Sequence, residues 1–156
     1  PLFSSSSKAM MRIFLVVFLG ALLFSCGYSN EETQTFDQQI KQHIQKKNLN
    51  LKPTGSGLYL SIDSLGKGRK IQLQDSIWVK YQLFLLSGER IEKQDKAIGL
   101  PLIGLIKAWQ EALYQLPVGS KLRCIAPPQL AYGQSGTDKI SKDKILYFEM
   151  AIVDAK

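Results

Sequence analysis

Histidine and cysteine are scarce in this chain, and their scarcity closes off several kinds of chemistry. Among 156 residues there is one histidine, His43, and there are two cysteines, Cys26 and Cys124. The sequence has no Cys-x-x-Cys pair and no Cys/His cluster, which argues against zinc and against dithiol redox work. A lone imidazole cannot share a two-histidine metal site, and no serine and acid accompany His43 as a nucleophilic triad requires. No metal or other cofactor is expected. Concentrated charge is missing too. The formal charge is +7, yet the cations are scattered, with no arginine stripe interleaved with aromatics, so nucleic acid is not an expected partner. A mildly basic surface near an anionic membrane is the plainer reading. There is no internal repeat and no low-complexity tract.

A membrane-length apolar run is also lacking. After Met10-Met11-Arg12 the segment Ile13 to Phe24 holds about a dozen apolar residues, short of the roughly 18–20 that a spanning helix needs. A short positive region, an apolar stretch and small residues form the layout of a secretory signal, with a retained signal anchor as the alternative. The tetrad Leu23-Phe24-Ser25-Cys26 resembles a bacterial lipobox. That resemblance implies cleavage before Cys26, acylation of its thiol by fatty chains such as palmitate, and a lipid-anchored protein of the cell envelope, at the periplasmic face or outer membrane. More than one chain gives stable anchoring. The alternative is a free Cys26 in a cleaved or spanning segment. Residues 1–9 precede the expected start methionine and read as an upstream artefact without a structural role.

Beyond Cys26 the chain carries 18 basic against 13 acidic residues, a balance of +5. Residues 27–56 read as a tether and a short helix. Gly27 to Thr35 is polar and buries little. Phe36, Ile40 and Ile44 then recur at helical spacing, with Thr35 or Asp37 as cap. His43 falls off that stripe and reads as a solvated helix-face residue. From residue 57 to the end the pattern becomes strand-like. Leu58–Ile62 alternates, Leu65–Gly68 turns, and Ser76–Leu86 is a long aromatic-rich strand. Leu105–Leu116 reads as the one helix of this region, ended by Pro117-Val118-Gly119. Lys121–Ala126 and Ile145–Val153 are further strands, the first halted by Pro127-Pro128. Strands on either side of a single helix, without β-α alternation, indicate an α+β fold with an antiparallel sheet packed on that helix.

Three blocks in this region carry a resemblance. They are Gly104 to Leu113 with Trp109 at the centre, Leu116-Pro117-Val118-Gly119, and Ala126-Pro127-Pro128-Gln129-Leu130-Ala131-Tyr132-Gly133. In order and spacing they resemble the FKBP domain, in which a Val-Ile-x-Gly-Trp-x-Glu-x-Leu helix precedes a Val-Gly turn and an Ile-Pro-x-x-x-Ala-Tyr-Gly segment. Ile145–Met150 is similar to the family's last strand, and Val79–Leu83 with Ser87–Glu92 to an upstream block. The resemblance implies an antiparallel sheet of five or six strands wrapped around one short helix, with a pocket between them. It also implies peptidyl-prolyl cis-trans isomerase activity on proline-containing polypeptides. The catalytic positions would be Tyr81 on one wall, Trp109 as floor, Tyr132 on a loop and Phe148 on the far side. Substrate-binding positions would be Ile91, Glu92, Ile98, Leu105, Ile106 and Ile140.

Such a site suits a sequence without an acid–base pair. Rotation about an X-Pro bond is slow because amide resonance sets a barrier of ~18–20 kcal/mol. An apolar, water-excluding pocket favours the less dipolar twisted form without any proton transfer. Plain packing competes at each position: Trp109 as a core residue, Tyr132 as a turn tyrosine, Tyr81 and Phe148 as sheet core. The chain also departs from the family. Ile91, Ile98 and Leu100 replace aromatic walls, Glu92 replaces an aspartate that accepts a hydrogen bond, and Lys139-Ile140-Ser141-Lys142 replaces Ile-Pro-Pro. Weak isomerase activity is therefore expected from a monomer assisting folding at the envelope. The alternative is an FKBP-fold binding module in an envelope complex, for example one associated with gliding motility. A third is a structural lipoprotein with no pocket.

Overall fold

Alternation of apolar and polar residues builds most of the sheet. A computed structural model describes residues 27–156, so residues 1–9 and the expected signal with its Cys26 lie outside the described part. The strands are β1 (Lys52–Pro53), β2 (Tyr59–Ser64), β3 (Ser76–Leu85), β4 (Arg90–Pro101), β5 (Lys121–Ala126) and β6 (Leu146–Ala155). They form one six-stranded antiparallel sheet in the order β1-β2-β5-β6-β3-β4. Along β3, Ile77, Val79 and Leu83 point inward, and along β6 so do Phe148, Met150 and Ile152, all buried. The period of two sends one residue in every pair to the same face.

Among the described residues two α-helices pack against this sheet, α1 (Asn30–Lys46) and α2 (Lys107–Leu113). The inner face meets α2, whose Ala108, Trp109, Ala112 and Leu113 are buried with Ile77, Val79, Leu122, Cys124 and Phe148 in the main core. The helix expected over Leu105–Leu116 is shorter than predicted. Leu105 and Ile106 keep extended backbone, and Gln115 adopts φ 63° just past the end. Its N–H bonds the Ile71 carbonyl, which stops the helix. At the turn before β3, Gly66 lies so close to Val118 that a Cβ would collide with that residue's carbonyl. Asp75 closes the same region: its carboxylate accepts from Arg69 Nη1 at 2.8 Å and from Gln72 N–H at 2.7 Å.

The expected tether is corrected. Helix α1 begins at Asn30, not near Phe36, because Ser29 and Glu32 form a reciprocal capping box. It then lies on the outer face of the sheet. Ile40, fully buried, packs with Leu51, Tyr59, Ile125 and Ile145, and Phe36 and Ile44 flank them. Tyr59 O–H donates to Asp37 at 2.6 Å and ties helix to strand. His43 is half-buried, not fully solvated, and desolvation together with Lys47 and Lys46 lowers its pKa.

Candidate functional site

The elements around α2 bring four aromatic side chains together. β3 supplies Tyr81, β6 supplies Phe148, α2 supplies Trp109, and the loop after the short 3-10 turn Pro128–Leu130 supplies Tyr132. They line a cleft of about 80 Å³ with Leu83, Glu92, Leu100, Leu105 and Ile106. The Trp109 ring meets Tyr81 edge-on at 5.1 Å between centroids and Phe148 at 5.5 Å, also edge-on. These T-shaped contacts are a favoured aromatic geometry and hold the indole rigidly. Trp109 is 4% exposed, and its Nε1–H is buried without a hydrogen-bond partner among the described residues. Buried donors normally find acceptors, so this one is conspicuous on the floor of an open cleft.

One carboxylate faces the cleft. Tyr81 O–H donates to Glu92 Oε1 at 2.7 Å. The glutamate that stands where the family has an aspartate thus accepts a hydrogen bond within the cleft. Burial raises the pKa of Tyr81, and the hydrogen bond to Glu92 adds to the effect. Burial also raises that of Tyr132, reinforced by the charge of Glu92. Both phenols therefore stay protonated donors well past neutral pH. Tyr132 stands at the rim, 37% exposed, whereas Tyr81 is half-buried.

The helix entrance forms the remaining wall. Ile106 is the N-cap of α2; its carbonyl accepts from the N–H groups of Trp109 and Gln110, while its own N–H has no partner among the described residues. Gln110 braces this entrance, its Nε2 donating to the carbonyls of Leu105 at 2.8 Å and Ile103 at 3.1 Å.

Of the residues named from the sequence, Tyr81, Glu92, Leu105, Ile106, Trp109, Tyr132 and Phe148 converge on the cleft. Ile91, Ile98 and Ile140 do not line it. Ile91 and Ile98 pack half-buried against the core from β4, and Ile140 is 5% exposed within it. Their aliphatic chains are consumed by packing, and Leu100 is the β4 aliphatic that reaches the cleft. Leu83 lines the cleft as well, two residues along β3 from Tyr81, and strand alternation alone would have found it. Gln110 carries no comparable sequence signal.

The sequence model of the FKBP-type peptidyl-prolyl cis-trans isomerase family matches residues 67–153, more than half of the chain. The FKBP-type peptidyl-prolyl cis-trans isomerase FkpA of Buchnera aphidicola subsp. Schizaphis graminum is 31% identical over 157 residues, covering 82% of this chain and 62% of the relative. FkpA of Escherichia coli strain K12 is 28% identical over 113 residues, 70% of this chain and 42% of the relative. This chain thus spans less than two thirds of the length of either. The crystal structure of Escherichia coli FkpA superposes with a TM-score of 0.70 at 22% identity, covering 99% of this chain and 74% of that one, and so shares the fold.

Proposed function

Since the chain belongs to the FKBP-type peptidyl-prolyl cis-trans isomerase family, we propose that its aromatic cleft isomerises X-Pro bonds of polypeptides and assists their folding at the bacterial cell envelope. The observation that carries this reading is the convergence of Tyr81, Trp109, Tyr132 and Phe148 on one small, open cleft. A proline ring enters edge to face with the indole and displaces water. The planar amide is the more dipolar form, so an apolar site disfavours it relative to the twisted transition state. The N–H of Ile106, unpaired among the described residues, and the O–H of Tyr132 belong to residues that line the cleft and supply donors for the substrate's carbonyl groups. No proton changes hands, and no bond is made or broken. Each ~1.4 kcal/mol of preference for the twisted form gives tenfold in rate.

The test is a proline-peptide isomerisation assay on the full chain, Tyr132→Phe and Trp109→Ala. Loss of one hydrogen bond predicts a fall of about threefold to tenfold in kcat/KM for Tyr132→Phe. Trp109→Ala is expected to lose most of the activity. Wild-type rates in both would remove these residues from the site. A second reading, binding of proline segments without turnover, is favoured by Leu100, an aliphatic on a wall where the family has an aromatic. Peptide affinity with no rate enhancement would select it.

The lipobox-like tetrad supports anchoring through Cys26. Cells fed labelled palmitate should label the chain but not its Cys26→Ser variant. Equal labelling of both would place the lipid elsewhere, and none in either would remove the anchor.

A further inference from the structure

Leu105 and Ile106 both line the cleft, and a single peptide bond joins them. That bond is trans. The Leu105 carbonyl and the Ile106 N–H therefore point to opposite sides of one rigid plane. Gln110 Nε2 donates to the Leu105 carbonyl at 2.8 Å. At the opposite edge of the plane, the Ile106 N–H has no acceptor among the described residues. Holding one edge of a rigid plane sets the direction of the other.

The hold has three points. Nε2 also donates to the Ile103 carbonyl at 3.1 Å, and the Gln110 backbone N–H bonds the Ile106 carbonyl at 3.2 Å. Both side-chain partners are acceptors, so an amide, with two N–H groups on one nitrogen, can meet both. A carboxylate of the same shape offers no donor. The N-cap residue, Ile106, supplies no side-chain cap of its own. Leu105 has ψ 170° and Ile106 has φ −58°, so the plane between them stands before the helical ladder begins. Such a plane can rock through opposite changes in those two angles, and the bond from Gln110 opposes the motion. Gln110 itself is not among the residues that line the cleft.

We propose that Gln110 is a positioning residue for isomerisation: by holding the Leu105 carbonyl, it aims the Ile106 N–H at a carbonyl group of the substrate. This rests on the isomerase reading of the cleft. The glutamine touches no substrate. It acts through the peptide plane between Leu105 and Ile106.

The experiment uses the full chain, Gln110→Glu and Gln110→Leu. It reads kcat/KM for a proline tetrapeptide from about pH 5 to 8, together with the amide resonance of Ile106. At the upper end Gln110→Glu holds a carboxylate without a donor, and kcat/KM should fall about threefold to tenfold, as for one hydrogen bond put out of line. Two carbonyl oxygens beside the new carboxyl favour its protonated form, which regains one donor. Gln110→Glu should therefore recover toward the unaltered protein as pH falls. Gln110→Leu has no donor at any pH and should stay low. The Ile106 resonance should move in both variants at the upper end, with those of Leu83 and Phe148 in place, which separates lost aim from lost fold. Variants as active as the unaltered protein, or an unmoved Ile106 resonance, overturn the assignment and leave the cleft reading intact. So does a Gln110→Glu variant that stays as low in acid as Gln110→Leu. No turnover by the unaltered protein overturns the isomerase reading, and the role of Gln110 with it.

Discussion

At residue 92 a side chain one methylene longer than the family's aspartate still accepts the Tyr81 hydroxyl, at 2.7 Å. β4 carries it at the register position opposite Leu83, on the cleft side, and the extra length is absorbed across the strand pair. Tyr81→Phe would strip that donor from Glu92 and should cost about 1.5–3 kcal/mol in urea unfolding, as expected for a hydrogen bond to a charged group. The same substitution in a Glu92→Gln background should cost less; equal costs would mean the two side chains are not coupled. The raised pKa values of Tyr81 and Tyr132 give a further expectation. An unperturbed tyrosine loses its proton near ~10, so phenols held above that value remain donors from about pH 6 to 9. No step in kcat/KM from tyrosine ionisation should appear across that range; a fall with an apparent pKa near 8 would contradict protonated phenols in the cleft.

Among the elements, legibility in the sequence followed burial. β3 and β6 each bury one face and alternate plainly, and β5, buried on both faces by its end, shows a short apolar run, so their apolar residues reveal them. β4 does not reveal itself. It is an edge strand paired with β3 alone, and Lys93, Asp95 and Lys96 interrupt its apolar residues. Charges of that kind protect an edge from pairing with other chains, at the expense of a readable pattern. The start of α1 was hidden for another reason: Asn30 to Thr35 has no apolar stripe, and the signal lies in Ser29 and Glu32, three residues apart. The cleft residues were legible as blocks, but their positions along the cleft were not. Ile98 and Leu100 share one face of β4, yet of the two Leu100 lines the cleft while Ile98 packs half-buried against the core beside it. The docking of α1 is testable at this scale. Ile40→Ala leaves a hole against Leu51, Tyr59 and Ile125 and should cost about 2–5 kcal/mol. Hydrogen exchange should quicken in α1 more than in β3 and β6. Uniform quickening would mean that α1 unfolds only with the sheet.

For the molecule as a whole, acid should act through carboxylates that are tied into the fold. Arg69 and the Gln72 N–H hold the Asp75 carboxyl below the usual carboxylate range, and Lys41 and Tyr59 do the same for Asp37. A group whose pKa is lowered by folding adds stability above its unfolded value, near ~3.9, and that stability is lost as pH falls through the folded value. Urea midpoints should therefore drop below about pH 4, and Asp75→Asn should start lower and fall less steeply. A variant with the parent's slope would show that Asp75 is not one of the titrating groups. All of this holds one aromatic cleft open on the inner face of the sheet, and the cleft can be questioned directly. Exchange spectroscopy on a proline tetrapeptide reports the cis–trans interconversion rate while the Trp109 indole N–H resonance reports occupancy of the floor. An interconversion rate well above the spontaneous one, accompanied by a shift of the Trp109 resonance and lowered in Tyr132→Phe, is expected. Interconversion at the spontaneous rate with an unmoved indole resonance would contradict isomerisation in this cleft.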